Sequence, residues 1–254
     1  MSDVHVSHEE HVAIVEIGRE PNNYFDEALI RDIASAFEAC DINPNIRSIV
    51  LCAKGKNFCA GANFLNPGPN SSATLAAERL YQQAIRLFRC EKPIVAAVQG
   101  AAVGGGLGLA LVADFRIASS ESRFTANFNR IGFHPGFGLT VTLPRVIGEQ
   151  RAALLFYTGR RISGDEAQLI GLVDVLVSQE SLKSASLELA TEIARSAPIA
   201  VVLTRRTLRR GLADRIAEAI RHELAEQERL LQTEDFAEGV KAMNERRLPI
   251  FVGR

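Results

Sequence analysis

The sequence predicts an α/β fold that ends in an all-helical region. Three observations carry this. Apolar strand-like runs and amphipathic helical patterns alternate up to about residue 180. From Ser181 to about Arg247 the pattern is helical only, with joints at Pro198, Gly211 and Thr233–Asp235. No low-complexity linker separates the two parts, so 1–195 reads as the core and 196–254 as a helical oligomerisation region packed on it or on another subunit.

The elements follow in order. VHVSHEEHVAIVEIG alternates and is rich in Val, which predicts a short hairpin. DEALIRDIASAFEACD places Leu29, Ile30, Ile33, Ala36 and Phe37 at helical spacing behind Asp26, a capping residue. RSIVLCAKG is a buried strand running into Gly55, and ATLAAERLYQQAIRLFRC, 73 to 90, is a long amphipathic helix. KPIVAAVQG is a second buried strand, and GGGLGLALVAD is an apolar helix. FRIASSESRFTA reads as two short strands around a Ser-rich turn. LTVTLPRVIGEQRAALLFYTG reads as short helices with a break at Pro144. SGDEAQLIGLV starts at a cap-like Ser163 and ends at Gly171, and VDVLVS is a further strand. Four helices complete the chain.

Composition narrows the function. The 254 residues are 47% apolar and 23% charged, as in an ordinary globular domain. A net charge of −1 gives no electrostatic reason to expect nucleic acid or an anionic membrane as partner. No apolar run reaches the ~20 residues of a membrane span, because Asp114 closes the longest one. Trp is absent, so the core must be largely aliphatic. The four cysteines form no CxxC pair and are expected to be buried free thiols of a reducing compartment. The N-terminus has neither a signal-peptide nor a transit-peptide pattern, so a cytoplasmic location is expected. His5, His8 and His11 lie in a charged terminal segment without suitably placed Cys or carboxylate partners, so no metal site is expected.

Two glycine-bearing segments carry the chemistry. GKNFCAGANF, 55 to 64, follows a strand and leaves backbone N–H groups uncovered by large side chains. Gly104–Gly106 do the same some forty residues later and open a helix, so their free N–H groups carry the positive end of its dipole. Either segment alone is explained by close helix–strand packing. Two such donors converging on one point make an oxyanion hole.

SIVLCAKGKNFCAGANF and KPIVAAVQGAAVGGGLGLALVADFRIAS resemble the two signature segments of the enoyl-CoA hydratase/isomerase (crotonase) superfamily. The resemblance continues through TGRRISGDEAQLIGLVDVLV and EGVKAMNERRLPIF. It is weakest before residue 27. It implies a crotonase-like spiral of ββα units with a C-terminal helical trimerisation region. It also implies a CoA thioester as substrate, no separate cofactor, and a homotrimer or dimer of trimers. By position the two enolate-stabilising amides resemble Ala62 and Gly105. Ala60, Gly61, Asn63, Phe64 and Gly104 fall in the stretches that would hold the thioester and CoA, and Arg19 and Arg247 resemble basic residues lent to CoA.

The resemblance also implies two glutamates for water addition, one taking a proton as the other gives one. Gly108 stands at the first position and Phe128 at the second. Asn63 replaces the usual aspartate of the AGAD motif. Phe128, Phe133 and Phe137 suggest an aromatic-lined acyl pocket, though core packing explains them equally well. His134 remains as a proton carrier or as a loop histidine held by a carbonyl. Tyr81 remains as a catalytic group on the 73–90 helix or as a core-capping residue, and Asp114 reads as structural. The expected activity is therefore an enolate-stabilising acyl-CoA reaction such as isomerisation, hydrolysis or decarboxylation. The alternative is an acyl-CoA-binding trimer with little turnover.

Overall fold

The computed structural model describes residues 3–62 and 73–254. The chain opens with an antiparallel hairpin, β1 (Val4–Glu9) and β2 (Val12–Ile17). Next, α1 (Glu27–Ile42) starts at Asp26, whose carboxylate accepts from the Leu29 N–H, and buries Leu29, Ile30, Ile33 and Phe37. It is followed by β3 (Ser48–Ala53), α2 (Ala73–Phe88), β4 (Ile94–Val98), β5 (Ala101–Val103) and α3 (Gly105–Ala110). The strands β6 (Phe115–Ala118) and β7 (Arg123–Thr125) lead into a 3-10 turn over Asn127–Ile131. Then come α4 (Leu139–Ile147), α5 (Glu149–Thr158), β8 (Arg161–Ser163), α6 (Gly164–Leu169) and β9 (Val175–Leu176). The tail is α7 (Leu182–Arg195), α8 (Pro198–Leu208), α9 (Leu212–Leu230) and α10 (Glu234–Asn244).

Two sheets result. The larger has the order β1-β2-β3-β4-β6-β9 and is parallel except for the hairpin. The smaller has the order β5-β7-β8. β3 and β4 read as unbroken apolar runs because both faces are covered. Ile49, Leu51, Ala96 and Val98 join the main core. Val50, Cys52, Val95 and Ala97 meet Leu182, Ala190 and Ala194 of α7 on the other side.

The tail is pinned to this body by charge and by packing. Asp114 accepts from the Ile94 N–H, from Arg205 of α8 and from Arg209 just past the end of α8, at 2.8–2.9 Å, which is a structural role. Buried Arg116 donates to Asp174 and to the Leu172 carbonyl. Leu212, Ile216 and Ile220 of α9 are part of the main core. All four cysteines are buried and free. Among the described residues no helix is long and apolar enough to cross a membrane.

Two local expectations change. Pro144 lies inside α4, and the break falls at Gly148, whose φ of 83° ends the helix. A nine-residue helix loses only one internal hydrogen bond to the proline, whereas positive φ stops it outright. The three-residue strands β5 and β8 are too short to leave a periodic signature, and the sequence reading passed over both.

Candidate active site

The site forms where two chain segments run side by side and then turn away. The Cys59 N–H donates to Ala101 O and the Val103 N–H to Cys59 O, each at 3.0 Å. Just past this pairing the first chain reaches Gly61 (φ 103°) and Ala62, while the second reaches Gly104 (φ 53°) and Gly105. The Gly104 N–H is used by Thr125 O at 2.9 Å. Among the described residues, the amides of Ala62 and Gly105 have no hydrogen-bond acceptor. These are the two amides that the sequence pattern singled out.

The glycines are explained by how closely the segments approach. A Cβ at Gly106 would lie 2.1 Å from the Cys59 carbonyl oxygen, and one at Gly61 would lie 3.0 Å from that of Val103. A Cβ at Gly105 would fall 2.4 Å from Cζ of Phe25. Bare backbone therefore serves packing and donor exposure together. Cys59 itself is no nucleophile, because burial pushes its thiol up to about 12.

Aromatic rings occupy the neighbouring space. A Cβ at Gly108 would meet Cδ1 of Phe137 at 2.7 Å. Phe137 is buried at a φ of 64°, with its ring centroid 5.4 Å from Phe25 and 6.4 Å from Phe88. Phe128 is buried, and its Cζ would lie 3.5 Å from a Cβ at Gly104. The two positions at which the family resemblance calls for glutamates are thus a glycine covered by a ring and a ring. Phe133 packs on Phe236 of α10 at 5.0 Å.

His134 and Tyr81 are tied into a network that reaches α9. His134 Nδ1 lies 2.7 Å from Pro135 O; a carbonyl only accepts, so Nδ1 is the donor. Its ring stands 6.3 Å, edge on, from that of His222. The Tyr81 hydroxyl donates to Gln227 Oε1 at 2.9 Å, and Gln227 Nε2 donates to His134 O at 3.0 Å. Burial, with the nearby Glu223 carboxylate, pushes the Tyr81 phenol well above its ordinary value. Glu223, fully buried, accepts from the N–H groups of Gly138 and Thr140 and from the Thr140 hydroxyl. Desolvation raises its pKa.

The remaining candidates are placed as follows. The Ala60 N–H donates to Asn22 O, and Gly61 O accepts from Phe25 N–H. Asn63 and Phe64 lie outside the described residues. Arg19 is held by Asp3 and Asp26 at 2.8 and 3.0 Å, and Arg247 by Glu238 and Glu245 at 2.5 and 2.6 Å. Asn127 and Asn129 flank Phe128 in the 3-10 turn.

Sequence reasoning missed Phe25 and its support. Asn23 is buried at a φ of 50°; it accepts from the Arg19 N–H and donates to the carbonyls of Lys54 and Asn57. That clamp sets Phe25 against Gly105. Both residues fall before residue 27, where the motif signal is weakest.

The class is thus a mostly parallel α/β body with two glycine-turned segment ends, whose Ala62 and Gly105 amides have no acceptor among the described residues. The comparisons give that class its family. The model of the enoyl-CoA hydratase/isomerase family matches residues 7–254, and the chain belongs to that family. It is 35% identical over 253 residues to a crotonyl-CoA hydratase of Syntrophomonas wolfei, covering 97% of this chain and 96% of that protein. It is 34% identical over 246 residues to an (E)-benzylidenesuccinyl-CoA hydratase of Thauera aromatica, covering 96% of each. The crystal structure of an enoyl-CoA hydratase/isomerase from Pseudoalteromonas atlantica superposes with a TM-score of 0.87 at 31% identity, covering 98% of this chain and 100% of that one. The fold is therefore the crotonase fold.

Proposed function

We propose that this protein binds an acyl-CoA thioester and polarises its carbonyl with the amides of Ala62 and Gly105, stabilising the enolate that develops at the α-carbon. The observation that carries this reading is the pair of amides, at the ends of two hydrogen-bonded segments, that have no acceptor among the described residues. Family membership supplies the thioester. One such donor lowers the barrier by about 2.7–4 kcal/mol. The substrate brings its own CoA, and no separate cofactor enters the scheme.

The reaction class follows from what flanks the hole. Water addition by two opposed carboxylates lacks its acid and its base at Gly108 and Phe128. Oxyanion chemistry without a carboxylate pair fits better: isomerisation with His134 as proton carrier, thioester hydrolysis by water through a tetrahedral oxyanion with release of the CoA thiol, or decarboxylation of a malonyl-type thioester, which releases CO2 and forms the enolate with no base at all. A second reading, an acyl-CoA-binding protein with little turnover, is favoured by the engagement of Tyr81 and the His134 loop with Gln227. Self-association as a trimer or dimer of trimers is part of the proposal. It is supported by α8, which leaves Ile199, Leu203 and Leu208 exposed along its length.

The test follows loss of the conjugated absorbance of a short trans-2-enoyl-CoA, for the wild type and His134→Ala. The same two proteins are then given β-keto, malonyl-type and Δ3-enoyl thioesters. Turnover of any of the latter with slow hydration supports the first reading. Brisk hydration overturns the exclusion of water addition. Tight CoA-ester binding with no turnover across the panel supports the second reading.

A further inference from the structure

The small sheet has an outward face that the scheme above does not use. Val103, Thr125 and Arg161 are cross-strand partners and form one row over β5, β7 and β8. The alternate residues Ala102, Phe124 and Ile162 point into the core. The row, with Asn127 and Arg130, lines a cavity of about 310 Å³ that the 243–249 segment roofs.

The charge of this cavity is one-sided. Three guanidinium groups line it, Arg130, Arg161 and Arg247, and no carboxylate does. Arg247 is committed to Glu238 and Glu245. Arg130 and Arg161 are exposed, and among the described residues their side chains have no ion-pair or hydrogen-bond partner, so two cations stand at one cavity without a counter-charge. The Arg130 stem lies across Gly159, where a Cβ would come within 2.7 Å of Arg130 Cγ. A bare glycine therefore lets Arg130 lie along this wall.

The cavity also adjoins the carbonyl site. Val103, in its wall, precedes Gly105 by two residues, and two Cα steps span at most about 7.6 Å. Between them lies Gly104, where a Cβ would stand 3.7 Å from Asn127 Oδ1, and Asn127 lines the cavity as well. The cavity wall therefore starts within about 7.6 Å of the Gly105 Cα.

We propose that Arg130 and Arg161 bind a carboxylate at the far end of the acyl group, so that the preferred substrate is the mono-CoA ester of a short dicarboxylic acid. The proposal rests on the acyl-CoA reading above. A guanidinium fork matches a carboxylate and makes charge-assisted hydrogen bonds. Val103 offers an apolar surface for the intervening methylenes.

Calorimetric titration tests this with matched pairs: succinyl-, glutaryl- and adipyl-CoA against butanoyl-, pentanoyl- and hexanoyl-CoA. Wild type, Arg130→Gln and Arg161→Gln are compared, with circular dichroism melts to establish that each variant is folded. At least one carboxylated ester is expected to bind tenfold or more tighter than its neutral partner, equivalent to about 1.4 kcal/mol. Each variant should remove most of that preference and leave neutral-ester affinity unchanged. Equal affinities in the wild type at every length overturn the proposal. So does a parallel loss for both esters, which would place the arginines on the CoA phosphates. A changed mass by light scattering with the preference intact would assign the face to a second copy of the chain and also overturn it. Binding of neutral esters without a carboxylate preference removes this proposal alone, whereas failure of every ester to bind removes the acyl-CoA reading beneath it.

Discussion

Gly105 and Gly108, three residues apart on one helix, each face an aromatic ring, Phe25 and Phe137, and they differ in what the backbone beside the ring offers. At Gly105, as at Ala62, the amide has no acceptor among the described residues. Gly108 and Phe128 stand at the positions where the family resemblance implies glutamates. On the proposed reading, carbonyl polarisation falls to the backbone and proton movement to side chains. Backbone donors are fixed by chain path, while acid–base groups depend on side chains that any substitution removes.

The sharpest way to break this contrast is at the packed glycines. Gly106→Ala would drive a Cβ to 2.1 Å from the Cys59 carbonyl oxygen, backbone against side chain with no flexible end to yield. We expect a stability loss of about 3 kcal/mol or more, read as a large fall in melting temperature, and loss of acyl-CoA binding. A melt within a few degrees of wild type with binding retained would show that the bare strand ends are not needed.

Next in size is an attempt to place a carboxylate at Gly108. Gly108→Glu should cost about 1–3 kcal/mol, because its Cβ meets the Phe137 ring at 2.7 Å, and it should yield no hydration of crotonyl-CoA. Adding Phe137→Gly removes the ring at a position whose φ of 64° suits glycine. The double variant should recover at least part of the stability, when both are followed by urea unfolding. Hydratase activity in the single variant would show that the ring is no obstacle.

A smaller effect is expected at His134. If the imidazole is only a loop anchor, His134→Ala changes turnover by less than about tenfold. A general acid–base role would cost about 10²–10⁴-fold, and steady-state kinetics separates the two. The smallest effect lies in the tail. Arg247 and the Ile250 N–H hold Glu238 down to about 2. A depressed folded value adds stability above the ordinary carboxylate range, and that stability is lost as pH falls towards about 2. Limited proteolysis should find the 247–254 segment released earlier on acidification than the body. Glu238→Gln should loosen it at neutral pH, read by the same proteolysis.

Much of the fold was legible because its cues are local. Asp26 and Ser163 cap helices as their side chains predict, accepting from Leu29 and Glu166. Pro198 opens α8, and Gly211 stands at the joint before α9. The Ala62–Gly105 pair was legible because both donors belong to backbone whose small neighbours are written in the motif. Phe25 was not, because its place over Gly105 is set by Asn23 reaching the carbonyls of Lys54 and Asn57, thirty-odd positions away.

The sequence by itself determined the alternation of strands and helices, the helical tail, the two bare amides and the glycine and phenylalanine at the expected carboxylate positions. These depend on residue type, spacing and backbone freedom, which need no knowledge of distant neighbours. Only the tertiary structure decided that Phe137 covers Gly108, that Tyr81 and the His134 loop are joined to α9 through Gln227, and that Val103, Thr125 and Arg161 form one row beneath a cationic cavity. Those are meetings between segments far apart in the chain, and what a side chain can do there is set by what the fold leaves beside it.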